Sequence, residues 1–192
     1  MGVSGLQLTL ALIKPDVHAH PGLYQHIVGT VLKNRLLFVR SRVLRWSRQD
    51  SASFYGEHEG RFFYNRLVGF MASGQMSAHI LAGEDAISRW RQLMGPTKTF
   101  RSQFTHRESI RGQFGLTDTR NCTHGADSEK AALREMQIFF PEFDAKTWWK
   151  EQSEFFKEGR VHFDEGRVEH VPVGKVHSDE GRVENTPVDR IS

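Results

Sequence analysis

The sequence LQLTLALI, at residues 6–13, constrains the fold more than any other stretch of the chain. Six of its eight residues are apolar, and the run stops at Lys14-Pro15-Asp16. A short apolar run that ends at a proline is typical of a buried strand. The pattern therefore predicts a strand whose end directs the side chain of Lys14 towards a pocket.

Helical and strand patterns alternate along the rest of the chain. They predict helices beginning at Pro21 and within residues 50–60, 62–73, 84–95 and 127–140, and strands at residues 36–46 and 76–83. Residues 96–120 form a long polar connection with little periodicity, and a connection of that length in a compact domain is usually functional. The mixture indicates an α+β sandwich, a small antiparallel sheet with helices on one or both faces.

The composition of the 192-residue chain limits the classes of protein that it can represent. One cysteine, Cys122, excludes an intrachain disulfide and is consistent with a reducing compartment. No apolar run approaches the length of a membrane span, and the first residues do not resemble a signal peptide. We expect a cytoplasmic protein, with the mitochondrion as the alternative, and no membrane partner.

The C-terminal segment differs in character from the preceding residues. Residues 159–173 and 174–188 form a tandem 15-residue repeat with eleven identical positions. We expect a domain at 5–157 followed by a disordered tail at 158–192, because the tail has too few large apolar residues to offset its chain entropy. A docking tail or a metal-binding tract using His162, His170 and His177 is the alternative.

Charge is also divided unevenly between these two parts. The tail holds eight of the 23 acidic and five of the 26 basic residues, which leaves 15 acidic and 21 basic residues in the domain. The basic domain could attract phosphate-bearing ligands, either small or polymeric. Nucleic-acid binding is unlikely, since no recognised nucleic-acid motif occurs in the chain.

The stretch RNCTHGAD, at residues 120–127, carries the strongest indication of chemistry. His124 precedes a predicted helix, and Glu135 lies two turns into that helix. A carboxylate near an imidazole fixes its tautomer and makes one ring nitrogen more nucleophilic, so His124 could hold a phosphoryl group covalently. The alternative, favoured on spacing alone, is that His124 stabilises a turn and Glu135 is solvated.

Several basic and polar residues could form a charged clamp around a phosphate. Lys14 follows the first strand, Arg91 lies in a predicted helix, Thr97 follows a Gly-Pro turn and Arg111 lies in the long connection. Phosphoryl transfer needs positive charge around the transferred oxygens. Each cation alone is more often a solvated surface residue. The chain contains neither a P-loop motif nor a glycine-rich dinucleotide-binding motif.

Aromatic residues cluster between residues 54 and 70, at Tyr55, Phe62, Phe63 and Tyr64. An exposed phenylalanine there could stack on a nucleobase. Packing of these rings into the core is the alternative, and for each ring in isolation it is the better interpretation.

Four stretches together resemble the nucleoside diphosphate kinase family: ALIKPD at 11–16, RWRQLMGPT at 89–97, IRGQFG at 110–115 and RNCTHGAD at 120–127. The resemblance covers about residues 7–150, and the last stretch matches the family's N-x-x-H-G-S-D active-site motif. KPDVHAHPG, at 14–22, is more similar to a divergent branch of the family than to its common housekeeping members.

The resemblance implies a ferredoxin-like α+β sandwich with a four-stranded antiparallel sheet covered by helices. It also implies transfer of the γ-phosphate of ATP or another nucleoside triphosphate to a nucleoside diphosphate by a ping-pong route through phosphohistidine. Mg²⁺ would be the cofactor, held mainly by the nucleotide phosphates rather than by protein ligands. A homo-oligomer or a protein partner is a further possibility.

The family's site residues carry over to matching positions of this sequence. His124 would be the nucleophile and Glu135 would orient it. Phe63 and Leu67 would flank the base, with weak discrimination between bases. The remaining nucleotide-binding positions would be Lys14 and Asn121 at the sugar and the transferred phosphate, Tyr55 holding Lys14, and Arg91, Thr97 and Arg111 at the β- and γ-phosphates.

The sequence departs from the family pattern at three places. The serine that follows His-Gly is Ala126 here, which removes a hydroxyl that supports the catalytic glutamate. The segment between Thr97 and Arg111 is about three residues longer than the common pattern, which leaves the family's hexamer contacts in doubt. The repeat tail has no counterpart in the family core. These departures favour, as the alternative function, a weakly active or inactive relative that binds a protein partner.

Overall fold

The computed structural model describes residues 6–157, 161–164 and 167–170. The strands are β1 (Leu6–Ile13), β2 (Leu37–Arg45), β3 (Gln75–Glu84), β4 (Thr123–Gly125), β5 (Val161–Asp164) and β6 (Arg167–His170). The helices are α1 (Pro15–His18), α2 (Pro21–Lys33), α3 (Arg48–Phe54), α4 (Tyr64–Met71), α5 (Ala86–Met94), α6 (Thr99–Thr105), α7 (Ile110–Phe114), α8 (Glu129–Phe139) and α9 (Ala145–Lys157), and a 3₁₀ turn spans Gly56–His58. No helix among the described residues is both long and apolar enough to cross a membrane.

Four strands form one antiparallel sheet in the order β2-β3-β1-β4. β1 is an inner strand, and its alternate residues enter two separate cores. Leu8, Leu10 and Leu12 pack with α3, α4 and α8 on one face, whereas Ala11 and Ile13 pack with α2 and α5 on the other. Burial on both faces explains the nearly continuous apolar run at residues 6–13. The predicted ferredoxin-like α+β sandwich is confirmed.

The connection at residues 96–120 is more regular than its sequence predicts. It contains α6 and α7, which are too short to give a clear hydrophobic period. Side chains stabilise their first turns: Asp118 Oδ1 accepts from Thr99 N at 3.1 Å, and Ser109 Oγ accepts from Gly112 N at 3.1 Å. The prediction of a connection without regular structure is therefore wrong for these two segments. Helices α1 and α9 were also not predicted.

Part of the predicted tail is described as two paired strands. β5 and β6 are antiparallel, with Val161 opposite His170 and Asp164 opposite Arg167. These eight residues lie within the segment that the sequence analysis predicts to be a disordered tail, which stays a prediction. The rest of the predicted tail, including His177, lies outside the described residues.

A buried histidine joins the two strands at one edge of the sheet. His79 on β3 lies directly opposite Ser41 on β2, and its Nδ1 is 2.8 Å from the Ser41 Oγ. Its Nε2 is 2.8 Å from the Ser77 Oγ. Burial, with a smaller contribution from the charge of His18, lowers the pKa of His79 to about 3. The imidazole is therefore neutral in the folded protein at physiological pH.

The burial of His79 predicts sensitivity to mild acid. Between pH 6.5 and 3 the unfolded chain binds a proton at this residue that the folded chain does not, so stability falls as pH falls below 6.5. We expect His79 alone to lower the free energy of unfolding by about 2 kcal/mol between pH 7 and pH 5. Urea unfolding of the wild type and His79→Gln at both pH values measures this contribution. An equal acid sensitivity of the two proteins would contradict it.

Candidate active site

His124 is the middle residue of β4, which pairs with the end of β1. Its register partner is Leu12, and Lys14 N donates to Cys122 O at 2.9 Å one step further along. Side chains of directly paired residues project from the same face of a sheet. The short ladder therefore places the imidazole on the face covered by α8, close to the end of β1 where Lys14 lies.

The glycine that follows His124 is required by a tryptophan on the opposite face. A Cβ atom on Gly125 would lie 2.5 Å from two atoms of the Trp90 indole, well inside van der Waals contact. Trp90 Nε1 donates to His124 O at 3.2 Å. The His-Gly pair thus lets α5 pack directly beneath the strand that presents the imidazole.

His124 makes a direct contact with the predicted carboxylate. Its Nε2 is 2.9 Å from Glu135 Oε2, and the Glu135 side chain is buried whereas that of His124 is 23% exposed. The rings of Phe54 and Tyr55 meet the imidazole edge-on, at centroid distances of 5.4 and 6.1 Å. Nδ1 makes no hydrogen bond within the described part of the chain. The interpretation of His124 as a turn residue beside a solvated Glu135 does not describe this arrangement.

Lys14 is buried beside this pair and is bonded to Asn121. Its Nζ donates to Asn121 Oδ1 at 2.7 Å and to Thr119 O at 3.5 Å. Burial, and secondly the charge of Arg111, lowers the pKa of Lys14 to about 7. Two cations that repel each other in a buried region form a site that favours an anion.

Arg111 is buried and directs most of its donors to backbone carbonyls. Nη1 donates to Gly95 O at 2.8 Å, Nη2 to Thr123 O at 2.9 Å and Nε to Asn121 O at 3.3 Å, while Thr97 Oγ1 lies 3.5 Å from Nη1. An arginine has five N–H donors, so one donor on Nη2 stays available. Arg111 therefore braces the site as well as adding charge to it. Burial lowers its pKa to about 10.

Arg91 and Thr97 lie at the exposed edge of the site. Arg91 is on the outer face of α5, and its charge contributes to the lowered pKa of Arg111. It lines an open groove together with Asp127 and His106. The structure thus brings these predicted phosphate-binding residues towards Arg111, although Arg91 itself makes no contact with Lys14 or His124 among the described residues.

Tyr55 does not hold Lys14 as the resemblance implied. Its hydroxyl is buried and has no hydrogen-bond partner within the described chain, and Lys14 instead bonds to Asn121 and Thr119. Burial, and secondly the negative charge of Glu135, raises the pKa of Tyr55. The ring meets the His124 imidazole edge-on and stacks on the His58 ring of the 3₁₀ turn.

Phe63 and Leu67 lie at the start of α4, next to a row of rings. His58 stacks on Tyr55 at 6.2 Å and meets Phe63 edge-on at 5.4 Å, and Leu67 is buried in the core. Beyond them, a cavity of about 770 Å³ separates α4 from residues 116–120 and is lined by Arg66, Phe70, Phe100 and Leu116. Thr119, which bonds to Lys14, also lines it. The cavity therefore opens beside the buried cations.

Ala126 is buried where the family motif has a serine. Among the described residues, Glu135 Oε1 makes no hydrogen bond and lies 3.7 Å from Nη2 of the exposed Arg134. One oxygen of the carboxylate is thus firmly directed at the imidazole, while the other lacks a short hydrogen bond.

Three side chains of the site were not assigned a role from the sequence. Phe54 packs against the imidazole, Trp90 bonds to the His124 carbonyl, and Asp16 accepts from the Cys122 backbone N–H at 3.0 Å. Trp90 and Asp16 fall inside two of the quoted stretches, RWRQLMGPT and ALIKPD, so their positions were visible although their contacts were not. Phe54 carried no signal beyond its place in an aromatic cluster.

The described residues contain no group of three or more His, Cys, Asp or Glu side chains arranged to hold a metal ion. A metal site enclosed by protein would need such a group of ligands. Mg²⁺ needs few protein ligands, because it keeps several waters and is usually bound through one or two carboxylates and substrate phosphates. Asp127, an exposed carboxylate in the Arg91 groove, is available for such a contact.

The fold and this site define a phosphotransferase family. The family model described as nucleoside diphosphate kinase matches residues 7–145, and the chain belongs to this family. It is 52% identical over 168 residues to nucleoside diphosphate kinase 6 of Xenopus tropicalis, covering 88% of this chain and 94% of that protein. The human protein of the same name is 53% identical, with coverages of 86% and 90%. The divergent branch predicted from KPDVHAHPG is confirmed.

Solved structures of the family share the architecture. Nucleoside diphosphate kinase from Aquifex aeolicus is 32% identical with a TM-score of 0.67, over 70% of this chain and 95% of its own. The enzyme from Halobacterium salinarum, solved in complex with CDP, is 32% identical with a TM-score of 0.65, over 74% and 97%. These likenesses extend over the domain that contains His124 and Lys14.

The carbonyl contacts of Arg111 predict a structural role that can be measured without nucleotide. Arg111→Met would remove a charged donor from three carbonyls, of which Asn121 O keeps the Thr123 N–H, so we expect the free energy of unfolding to fall by about 3 kcal/mol. Arg101→Met, an exposed arginine on the neighbouring α6, is the matched control and should change it by less than about 0.5 kcal/mol. Urea unfolding at pH 7 measures both. Equal stabilities of the two variants would show that Arg111 does not brace the site.

Proposed function

We propose that the protein is an active nucleoside diphosphate kinase that moves the γ-phosphate of a nucleoside triphosphate to a nucleoside diphosphate through phosphohistidine at His124. The observation that carries this proposal is the 2.9 Å contact between Nε2 of His124 and Glu135, with the buried cations Lys14 and Arg111 bonded to the two residues that precede His124. Family membership supports nucleotide chemistry at this site, and a relative at 32% identity has been solved with CDP.

The contact with Glu135 favours one tautomer of His124. An ionised carboxylate only accepts hydrogen bonds, so the ring proton belongs on Nε2 and the lone pair on Nδ1. In the proposed first half-reaction, this lone pair attacks the γ-phosphorus and forms an N–P bond. The bond from phosphorus to the bridging oxygen breaks, and its electron pair leaves with the nucleoside diphosphate. In the second half-reaction, a terminal β-phosphate oxygen of the acceptor diphosphate attacks the same phosphorus and His124 is regenerated.

Positive charge near the transferred group comes from Lys14, Arg111 and Arg91. Catalysis gains most from charges that are fixed before the reaction and directed to where negative charge develops. Lys14 has a pKa of about 7 in the free protein, and the negative charge of a bound phosphate would raise that pKa and keep the ammonium protonated. Asn121 would keep Lys14 in place through its 2.7 Å hydrogen bond.

Mg²⁺ would neutralise part of the phosphate charge and orient the oxygens of the nucleotide. It would be held mainly by those oxygens, with Asp127 as the available carboxylate. The base would lie near Phe63 and Leu67, towards the cavity between α4 and residues 116–120. Stacking and apolar contact discriminate weakly between bases, so we expect broad use of nucleotides.

The proposal predicts a transient phosphoprotein. Protein incubated with Mg²⁺ and γ-labelled ATP should acquire a label that is acid-labile and base-stable, and a nucleoside diphosphate should remove it. His124→Ala should abolish labelling because it removes the nucleophile. Glu135→Gln should lower the single-turnover labelling rate by about 10²-fold, because the amide does not favour the same tautomer.

His106→Ala is the control for histidine labelling, since His106 is an exposed histidine in the Arg91 groove and makes no contact with His124. It should label at the wild-type rate. Absence of label in the wild type at every Mg²⁺ concentration, or persistent label in His124→Ala, would refute the phosphohistidine route.

Because Ala126 lacks the hydroxyl of the family's serine, we expect phosphoryl transfer to His124 to be slower than it would be with that serine. A serine hydroxyl at this position would donate to Glu135 Oε1, which lacks a short hydrogen bond, and would orient the carboxylate better. We expect Ala126→Ser to raise the single-turnover labelling rate by up to about tenfold, the effect of one hydrogen bond. Ala145→Ser, at the start of α9, should leave the rate unchanged. A slower Ala126→Ser variant would show that the buried position does not accept a hydroxyl.

A binding role is the second candidate function. The side chains of Phe100 and Phe104 on α6 and of Leu116 are between 61% and 76% exposed, which is unusual for large apolar residues gathered on one segment. They favour contact with a second copy or with another protein. Nucleotide affinity without turnover in the labelling experiment would support this candidate over the enzyme.

A further inference from the structure

The turn that leads into β4 contains a strained residue. Cys122 has a φ of 72°, in the left-handed region that residues with a Cβ seldom occupy. Thr123 N donates to Asn121 O at 2.8 Å across it, which closes a three-residue γ-turn. Strain of this kind persists only where neighbouring contacts hold it, and it concentrates at functional sites.

A half-buried carboxylate in α1, just after β1, holds this turn. Asp16 Oδ2 accepts from Cys122 N at 3.0 Å, and Asp16 Oδ1 accepts from Val17 N at 3.1 Å. Lys14 N donates to Cys122 O at 2.9 Å. Both backbone groups of Cys122 are thus bonded to the segment of residues 14–16, and one of the two bonds depends on the Asp16 side chain.

The turn separates two groups on which the proposed reaction depends. Asn121, immediately before Cys122, holds the Lys14 ammonium, and His124 follows two residues after Cys122. Arg111 donates to the carbonyls of Asn121 and Thr123, on either side of the turn. A change in the conformation of Cys122 would therefore move the lysine's partner and the imidazole relative to each other.

We propose that Asp16 is a positioning residue for phosphoryl transfer, which acts by holding Cys122 in its left-handed conformation. The inference rests on the proposed function for its kinetic consequence, whereas the contact between Asp16 and the turn is independent of it. Asp16 itself touches neither His124 nor Glu135 among the described residues. Small displacements of groups that must align in the transition state lower the rate more than they lower ground-state binding.

Two substitutions separate the proposed role from a general effect on charge. Asp16→Asn removes the charge and leaves one acceptor oxygen for two backbone N–H groups, so its NH₂ group would oppose one of them. Cys122→Gly removes the Cβ that makes the left-handed conformation unfavourable. In the double variant, the turn can form without the carboxylate, while the charge of Asp16 stays absent.

Asp144→Asn is the matched control. Asp144 also accepts two backbone N–H bonds, from Lys146 and Thr147, at the exposed start of α9. Five proteins are compared: the wild type, Asp16→Asn, Cys122→Gly, the double variant and Asp144→Asn. The measurements are single-turnover labelling at saturating nucleotide, nucleotide affinity, and hydrogen exchange of the Thr123 amide in the absence of nucleotide.

We expect Asp16→Asn to lower the labelling rate at least about tenfold, with nucleotide affinity changed less than about threefold. Exchange of the Thr123 amide should accelerate, because the turn opens. The double variant should recover most of the rate and of the amide protection, and Asp144→Asn should behave as the wild type.

A wild-type labelling rate in Asp16→Asn would overturn the proposal. So would an Asp16→Asn substitution that lowers the rate equally in the wild type and in Cys122→Gly, because that result would assign the effect to charge. If the wild type forms no phosphohistidine, the proposed function is refuted, but the hydrogen-exchange measurement still tests whether Asp16 holds the turn. Unchanged Thr123 exchange in Asp16→Asn would then overturn the positioning role by itself.

Discussion

Three residues of β4 pair with the last residues of β1, and this short ladder determines where the groups of the site lie. The pairing puts His124 opposite Leu12, and it brings Cys122 to the segment that carries Lys14 and Asp16. Arg111 then bonds to the carbonyls of Asn121 and Thr123 and ties the same strand to α7. Residues that are more than 100 positions apart thereby share one small volume, because β1 is an inner strand with partners on both sides.

This arrangement keeps the positive charges of Lys14 and Arg111 buried, and their loss of hydration costs free energy in the protein without a ligand. Burial lowers the pKa of both Lys14 and Arg111, because each loses hydration; the charge of Arg111 adds to the shift at Lys14, and the charge of Arg91 adds to the shift at Arg111. No carboxylate among the described residues forms an ion pair with either of them. A phosphate-bearing ligand would relieve this repulsion, so the buried positive charge favours the binding of an anion. Glu135 is kept for the imidazole and does not neutralise these cations.

The fold could be predicted largely from local patterns, and the site only in part. The run at residues 6–13 indicated a buried strand. The spacing of His124 and Glu135 allowed a contact between them but favoured a turn residue beside a solvated carboxylate, and only the family resemblance implied the pair. Helices α6 and α7 could not be predicted, because helices of seven and five residues are too short to show a hydrophobic period. The hydrogen bond from Cys122 to Asp16, and the lack of a partner for the Tyr55 hydroxyl within the described residues, could not be predicted either, because hydrogen bonding between residues distant in sequence depends on tertiary geometry. The resemblance supplied residue roles, yet it suggested a partner for Tyr55 that the structure does not contain.

The site also depends on Trp90, a residue of the protein interior. It lies beneath β4 on the face opposite the imidazole, fills the space that a Cβ on Gly125 would occupy, and donates to the His124 carbonyl. Selection on the chemistry of this protein must therefore act on the interior of α5 as well as on the surface that meets a nucleotide. A comprehensive survey of single substitutions should consequently show a second zone of intolerance, on the buried side of α5, that no inspection of ligand contacts would reveal.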